Sequence, residues 1–408
     1  MHPSRSSPIT FFFLMLPIGI GVGFVTVTLP FIMTREGFPV AVSASIVALG
    51  ISANVWTFVW GPVIDLTLTL RRWYALGLVL LASSLLLLSL MPLRPNGVAV
   101  LTALVFLTMA GVATSGLPVG GLMAHTVANH EKGRAGGWNQ AGNLGGTGLG
   151  GGAGIWLASH FSNQVAGGAL AAAILSCAAT LYFVPDVRPA AGEALGQRVR
   201  QIGQDFRQMI RSAAVLLTLV LIVAPIGIGA ASNLWSAVAP SWRAEPNTVA
   251  LVAGVLSGVV SAVGCVAGGW IADRIGRWWS FFGAGAIMAL VALIIAVAPR
   301  TPAAYASGVL CYAFSQGLAW AAFTALVLHA VGRGAAATKY AILSSLGNVP
   351  GSYMTAFDGW VHDRSGVERM LEAEALLAIA CIAVGLLALR KLKAAGRLER
   401  EPAMALSR

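Results

Sequence analysis

The residues best able to do chemistry are two aspartates that recur at the same point of a repeated motif. Gly61-x-x-x-Asp65 returns as Gly269-x-x-x-Asp273, 208 residues later. Glycines let two helices approach closely, and a carboxylate can accept hydrogen bonds from a facing helix N-terminus or pair with an arginine. The motif therefore predicts two latches between helices. The alternative interpretation is that both aspartates are only helix caps.

A second motif shares this repeat. The pentapeptide Pro17–Gly21 recurs as Pro225–Gly229, and the offset is again 208 in a chain of 408 residues. Repeats of that length indicate a duplicated unit, which in an apolar chain is typical of a secondary transporter with its substrate site between the halves. Both prolines are expected to kink their helices near mid-membrane. Eight glycines between Gly142 and Gly154 predict close helix packing.

Composition indicates a membrane protein. Hydrophobic residues make up 57% of the chain, charged residues 10%, and the mean hydropathy is +0.80, whereas a soluble protein would carry about a quarter charged residues. Helices satisfy their own backbone groups in lipid, and about 20 apolar residues cross the hydrocarbon. Twelve such spans are predicted at 9–33, 40–64, 73–92, 98–124, 138–159, 165–184, 213–239, 248–272, 279–298, 303–331, 339–362 and 372–390.

The expected fold is therefore all-α, with twelve transmembrane helices in two six-helix bundles related by a pseudo-two-fold repeat. The bundles are predicted at 1–184 and 213–390. A cytoplasmic linker with an amphipathic helix occupies 185–212, and a tail occupies 391–408. With both termini inside, all but six of the 26 Lys and Arg lie on the inner side, which predicts cytoplasmic termini. The net charge of +11 is then a topology signal and an attraction to anionic lipid, with no nucleic-acid partner.

The cysteines give no sign of a redox or metal site. All four fall inside predicted spans without a CxxC pair, as small buried hydrophobes usually do. No cofactor and no metal is expected. The loops hold no paired carboxylates, HxxxxD motif or metal-ligand cluster, so a membrane acyltransferase or glycosyltransferase is disfavoured. The cysteines are Cys177, Cys265, Cys311 and Cys381.

The second-half motif, Gly269-x-x-x-Asp273-Arg274-x-Gly276-Arg277, resembles the signature loop motif of the major facilitator superfamily. The first-half copy keeps its Gly and Asp, has Leu66 in place of the Arg, and is followed later by two arginines. The resemblance implies the twelve-helix fold and a loop latch that opens during alternating access. The predicted gating residues are Gly61, Asp65, Arg71, Arg72, Gly269, Asp273, Arg274 and Arg277.

Three segments resemble the muropeptide-permease (AmpG-like) family, whose branch includes acetyl-CoA transporters and some siderophore permeases. They are Trp60–Asp65 with Arg71–Trp73, Glu131–Gly137 running into Asn143–Gly146, and Ala337–Leu346 running on through Gly359–Trp360. Two positions depart from the family pattern. Trp56 stands where a Lys is common, and His125 stands where an acidic residue is common. The charges that relatives would offer to a substrate or proton are therefore altered.

Uncharged polar and aromatic side chains within the spans are the candidates for a substrate cavity. Intramembrane polar groups face the bundle interior or a wet cavity, and amides interleaved with aromatics suit a sugar, a peptide or an aromatic chelator. For each residue the alternative is an interhelical hydrogen bond or a packed ring. The candidates are Thr26, Asn54, Trp56, Gln140, Asn143, Asn233, Trp235, Gln316, Trp320, Tyr340 and Asn348.

Three residues are candidates for carrying a coupling proton. His125 and His329 end two equivalent helices, 204 residues apart, and histidine titrates near physiological pH; interfacial bystanders are the alternative. With Asp65 and Asp273 assigned to latches, the third candidate is Asp358. It lies about 29 Å along its helix from Lys339 at ~1.5 Å per residue, near the outer end.

These patterns predict a multi-pass secondary transporter of the bacterial inner membrane that moves an organic solute by alternating access and is not an enzyme. The resemblance implies proton-coupled uptake of a muropeptide-like or related amphiphilic metabolite. Expected partners are that small molecule, protons and membrane lipid, and the chain is expected to be a monomer. Acetyl-CoA is disfavoured because its phosphates require buried Arg or Lys. The alternatives are a siderophore permease, a metabolite or drug exporter, and a non-transporting membrane sensor.

Overall fold

The computed structural model describes residues 6–38, 40–51, 53, 57–92, 97–187, 200, 203–204, 207, 211–331 and 336–396, and no strand occurs among them. Two predicted cavity residues, Asn54 and Trp56, lie outside the described residues. So does most of the predicted linker, including most of its amphipathic stretch.

The described residues of the first half form nine α-helices. A π-helical turn at Phe24–Thr28 precedes the second of them, and another at Leu149–Ala153 precedes the eighth. A 3₁₀ segment, Cys177–Phe183, follows the last helix. The helices are α1 (Thr10–Gly23), α2 (Leu29–Arg35), α3 (Val40–Ile51), α4 (Thr57–Leu66), α5 (Leu70–Leu90), α6 (Val98–Thr126), α7 (Lys132–Gly148), α8 (Gly154–His160) and α9 (Asn163–Ser176).

The second half begins with a helix that stops early. After α10 come two 3₁₀ turns, Ala230–Asn233 and Ala239–Trp242, and later a π-helical stretch, Ala250–Leu256. The α-helices are α10 (Ala213–Val223), α11 (Trp235–Val238), α12 (Pro246–Val249), α13 (Ser257–Ile275), α14 (Arg277–Val297), α15 (Pro302–Val331), α16 (Ala336–Gly347) and α17 (Val349–Ala394).

Every predicted span contains described helical residues. Among the described residues, eight helical stretches are long and apolar enough to cross a membrane; the last, Ala336–Ala394, contains two predicted spans and turns at Gly366, where φ is 82°. Six of the predicted spans are each covered by more than one α-helix among the described residues: 9–33, 40–64, 138–159, 213–239, 248–272 and 339–362. The helix after Gly366 runs to Ala394, four residues beyond the predicted end of the bundle.

The chain forms two compact units. The first comprises Met1–Ala128, Ala141–Ile202 and Arg333–Ser345, and the second comprises Asn129–Gln140, Gly203–Gly332 and Leu346–Arg408. Each unit therefore includes a short segment from the other half of the sequence. The two exchanged segments contain the beginnings of α7 and α16, and these helix beginnings prove to be the partners of the repeated aspartates.

Glycines bring backbones into contact in the first unit. A Cβ on Gly19 would lie under 3.0 Å from the carbonyl oxygen of Asn143, and one on Gly23 would lie equally close to that of Thr147. Gly146 meets the backbone of α1 in the same way, at Leu16. The glycine run thus packs directly on α1, as predicted.

The second unit has an aromatic core. Trp235, Trp242, Tyr305 and Tyr312 lie within one cluster of buried side chains, and the ring centroids of Trp235 and Tyr312 are 5.3 Å apart in an edge-to-face arrangement. Edge-to-face pairs are favourable beyond the area they bury. This core fixes the segment that follows α10.

Candidate functional site

Asp273, near the end of α13, caps a neighbouring helix. Its Oδ1 accepts a hydrogen bond from the Gly133 amide at 2.7 Å. Its Oδ2 accepts from the Arg134 amide at 3.0 Å and from Arg134 Nε at 2.9 Å. Both amides belong to the first turn of α7, whose N–H groups have no partner within their own helix. The carboxylate thus satisfies orphan donors, complements the helix dipole and forms an ion pair.

Asp65, at the end of α4, does the same for α16. Its carboxylate accepts from the Thr338 amide at 2.8 Å, from Thr338 Oγ1 at 2.6 Å and from the Ala337 amide at 3.3 Å. Thr338 follows Arg134 by 204 residues, the same offset that separates the two histidines. The two latches are therefore repeats of one another, one with an ion pair and one with a neutral hydroxyl.

The motif glycines allow each aspartate to reach its helix. A Cβ on Gly61 would stand 2.8 Å from the Thr338 Cα, and one on Gly269 would stand 2.5 Å from the Gly133 carbonyl oxygen. Real Cβ atoms essentially never come within 3.0 Å of such neighbours. Any larger residue would separate the helices and lengthen the hydrogen bonds to the aspartate one turn later.

The predicted gating arginines are not the ones that hold the aspartates. The Arg274 guanidinium lies 3.4 Å from the centre of the Trp270 ring, and that of Arg277 lies 5.3 Å from the Trp278 ring. Arg71 and Arg72 begin α5. Asp273 forms its ion pair with Arg134, and Asp65 accepts hydrogen bonds from Thr338. We predicted neither of these partners. A signal existed, because both residues lie in segments that carried the family resemblance.

The two histidines have matching surroundings within their helices. His125 Nδ1 lies 2.8 Å from the Gly121 carbonyl oxygen, and His329 Nδ1 lies 2.7 Å from that of Ala325. Their neighbours outside the helix differ. His329 lines a cavity of about 690 Å³ together with Arg277 and Arg211.

Several cavity candidates make hydrogen bonds between helices or within one helix. Gln140 Nε2 donates to Thr324 Oγ1 at 2.9 Å, and Asn233 Nδ2 donates to Thr355 Oγ1 at 2.9 Å. Thr26 Oγ1 donates to a carbonyl of its own helix, at 2.8 Å. For these residues the structure shows the interhelical or intrahelical bond that we weighed as the alternative.

Gln316 and Trp320 lie against an interruption in the second half. After Val223 the chain leaves the helix, and Gly227 and Gly229 adopt φ values of 68° and 72°, a region that favours glycine. Gln316 Nε2 lies 3.3 Å from the Gly229 carbonyl oxygen and 3.2 Å from Ser232 Oγ. One turn later on α15, Trp320 lines a small cavity of about 10 Å³ beneath the same segment.

The remaining cavity candidates have mixed surroundings. Trp235 is 3% exposed and belongs to the aromatic core. The Tyr340 ring packs on Gly120, and its hydroxyl hydrogen-bonds with Ser344. Asn143 is half-buried in α7, and Asn348 is exposed between α16 and α17.

Asp358, the third proton candidate, is 0% exposed. The structure places a second carboxylate, Glu374, in its electrostatic environment. We missed Glu374 although it lies inside the predicted span 372–390. A carboxylate in an otherwise apolar span was the signal that could have found it.

Comparison with known proteins decides the family. The profile of the Major Facilitator Superfamily matches residues 7–355. The chain belongs to this superfamily. It is thus a multi-pass membrane transporter of the secondary type, in a family whose members are not enzymes. No curated protein sequence matches the chain.

Solved structures show the same fold at low sequence identity. The human organic anion transporter MFSD10 (TETRAN) has a TM-score of 0.68 at 16% identity, over 92% of this chain and 98% of that one. The fucose:proton symporter FucP of E. coli has a TM-score of 0.69 at 14% identity, over 96% and 98%. The proton:xylose symporter XylE, bound to 6-bromo-6-deoxy-D-glucose, has a TM-score of 0.65 at 13% identity, over 92% and 94%. The predicted twelve-helix major facilitator fold is confirmed.

Proposed function

We propose that this protein imports a muropeptide-like or related amphiphilic metabolite together with protons across the bacterial inner membrane. In this proposal the chain works as a monomer with cytoplasmic termini. Support for proton coupling comes from the two sugar–proton symporters that share its fold. Support for the substrate class comes from the three segments that resemble muropeptide permeases.

The observation that carries the transport mechanism is the pair of equivalent latches. Alternating access in repeat-built transporters uses equivalent elements in the two halves. Each latch holds only while its helix ends are within hydrogen-bond distance, so separating them breaks the bonds to one carboxylate. Hydrogen bonds to charged groups contribute about 1.5–3 kcal/mol each. Because the Arg134 side chain is 42% exposed, we expect its ion pair with Asp273 to add little to the free energy of these hydrogen bonds.

The chemistry of the substrate is supported by the side chains beside the interrupted helix. Gln316 and Ser232 are half-buried and 3.2 Å apart, and Trp320 follows Gln316 by one turn of α15. Asn233 is exposed, and none of these four side chains carries a formal charge. Amide hydrogen bonds and ring stacking suit a sugar or a peptide. Binding of this kind changes little with salt, whereas binding of an anion by arginines would fall as salt rises.

The test is uptake into proteoliposomes that contain the purified protein and carry an imposed proton gradient. The probes are a labelled muropeptide, a hydroxamate siderophore and a neutral sugar. We expect the muropeptide to accumulate and an uncoupler to abolish accumulation. Siderophore accumulation would instead indicate a siderophore permease, movement only out of the vesicles would indicate an exporter, and binding without movement would indicate a sensor.

Variants in the same assay address the mechanism. Asp273→Asn should slow uptake severalfold. Asp363→Asn should not; it is a matched change at an exposed aspartate whose polar contact among the described residues is His362. Replacing both His125 and His329 by Gln tests the histidines as proton carriers. Uptake that stays gradient-driven in that double variant leaves Asp358 as the candidate.

A further inference from the structure

Two buried carboxylates stand opposite one another across the turn at Gly366. Asp358 precedes Gly366 by eight residues, and Glu374 follows it by eight. At ~1.5 Å per residue, each lies about 12 Å along its helix from the turn. The two groups are close enough to interact electrostatically. The turn therefore pairs an aspartate and a glutamate inside the second unit.

The carboxylates lack the partners that ionised groups need. Asp358 is 0% exposed and Glu374 is 7% exposed. Glu374 Oε1 accepts a hydrogen bond from Tyr312 Oη at 2.7 Å. Among the described residues, Glu374 Oε2 and both oxygens of Asp358 have no hydrogen-bond partner. Burying an unpaired charge is costly, and a proton would remove one charge and supply one missing donor.

The elements packed around the pair bring no cation. Neither α10 nor the part of α14 after Arg277 contains a titratable side chain, and the segment 230–238 contains none either. Among the described residues, Tyr312 is the titratable group that contacts the pair from α15. Beyond the pair, toward the turn, the charged groups pair with one another or stack on a ring: Arg300 with Glu368, Arg369 with Glu372, His362 with Asp363, and Arg364 on Trp360.

Glu374 also contacts the interrupted helix. The backbone N–H groups of Ala230 and Ala231, which open the 3₁₀ turn after Gly229, act electrostatically on its carboxylate, whose hydrogen bond comes from Tyr312. A cavity of about 10 Å³, lined by Glu374, Tyr312 and Gly227 among others, adjoins the same segment and has room for about one water molecule. A change in the charge of Glu374 would therefore change its electrostatic interaction with this segment.

We propose that Asp358 and Glu374 together bind the coupling proton and that the ionised pair holds the Ala230–Asn233 turn, while the protonated pair releases it. The proton joins a carboxylate oxygen and later leaves as H⁺, so no other bond changes. Hydrogen bonds to an ionised acceptor are roughly twice as strong as neutral ones, and this difference is the coupling between proton and helix. The inference rests on the proposed proton-coupled transport and assigns its proton site.

The first experiment is infrared difference spectroscopy of the full-length protein in lipid between about pH 5 and about pH 8. We expect a protonated-carboxyl band at the acid end that disappears at the alkaline end. Glu374→Gln should abolish this change, and Asp358→Asn should reduce and shift it. Glu372→Gln, a matched change two residues from Glu374, should leave it intact. Tyr312→Phe keeps both carboxylates and removes one hydrogen bond, so it should shift the band without removing it. This variant tests the site even if the Glu374 variant fails to fold.

The second experiment measures the release of the turn. The four native cysteines are replaced, and Ser232→Cys then introduces a single thiol beside Gln316. The rate at which maleimide labels this thiol is measured with Glu374 present and again with Glu374→Gln. The first rate is divided by the second. This division cancels the pH dependence of the thiol itself. The ratio should be near one at about pH 5 and about fivefold lower at about pH 8, equivalent to about 1 kcal/mol.

Neither readout requires a substrate, so the proton site and the transport proposal can fail separately. A carboxyl band that persists unchanged in both Glu374→Gln and Asp358→Asn would overturn the site. A response to Na⁺ at constant pH, in place of a response to pH, would also overturn it and indicate a metal-cation site. Normal pH responses with no solute movement in any vesicle assay would leave the site standing and refute the proposed transport.

Discussion

The two copies of the Pro-Ile-Gly-Ile-Gly pentapeptide adopt different structures. The first, Pro17–Gly21, lies within the continuous helix α1. The second, Pro225–Gly229, is not helical, and two of its glycines have positive φ. We expected a kink in both helices; in the second copy the helix has ended before the proline. Five identical residues therefore do not determine their own conformation.

The neighbours of each copy account for the difference. In the first copy Gly19 meets the backbone of α7 at Asn143 and Thr147, and Gly21 meets the side chains of Leu81 and Val112. In the second copy the carbonyls released by the missing helical turn need other donors. Gln316 Nε2 supplies one of them at the Gly229 carbonyl, and the glycines permit the left-handed backbone.

The largest effect is expected from Gly19→Ala, which tests the packing of the first copy. The added methyl meets the backbone at Asn143 and Thr147, and backbone cannot move aside as a side chain can. We expect a loss of about 2–3 kcal/mol of stability from overpacking, measured by thermal unfolding in detergent. Gly148→Ala is the control, because its methyl would meet nothing within 4 Å. Equal stability of the two variants would refute close backbone packing.

The two latches extend the comparison to the repeated aspartates. Asp273→Asn and Asp65→Asn should each cost about 2 kcal/mol, because each removes the charge of a carboxylate that accepts three hydrogen bonds, and the exposed ion pair with Arg134 adds little. Hydrogen exchange locates the effects. Asp273→Asn should speed exchange at Gly133 and Arg134, and Asp65→Asn at Ala337 and Thr338. Unchanged exchange at both helix beginnings would show that these aspartates do not hold them.

Gly227→Ala tests the backbone of the second copy. An L-residue with φ near 68° pays about 1–2 kcal/mol, and the methyl would also crowd Ala319. Gly227→Asn carries the same Cβ, but asparagine tolerates this backbone better. Thermal unfolding should therefore rank the asparagine variant above the alanine variant. The reverse order would mean that crowding, and not backbone conformation, decides the cost.

The smallest effect is expected from Gln316→Leu, which removes the donor that holds the Gly229 carbonyl. We expect about 1 kcal/mol and faster hydrogen exchange in the 3₁₀ turn Ala230–Asn233. Gln140→Leu is the matched control, since that amide bonds to Thr324 on another surface of α15. Should both variants speed exchange of the turn equally, Gln316 would have no special role there.

The sequence by itself determined the class of this protein. Hydropathy and repeat offset can be read along the chain, and they were sufficient to predict a multi-pass helical protein. The resemblance of the Gly-x-x-x-Asp motif predicted the superfamily, which the profile match confirms. The latch aspartates and their glycines were also predictable, because Asp65 and Asp273 stand at span ends where a facing helix must pass close by.

The tertiary structure alone decided which residues meet. Arg134 and not Arg274 pairs with Asp273, Trp235 packs in an aromatic core, and Glu374 joins Asp358 through the turn at Gly366. Each of these outcomes depends on how a helix is rotated and how deep it lies against its neighbours. Hydropathy summed along a span contains neither quantity, since rotating a helix about its axis changes every contact and leaves the sum unchanged.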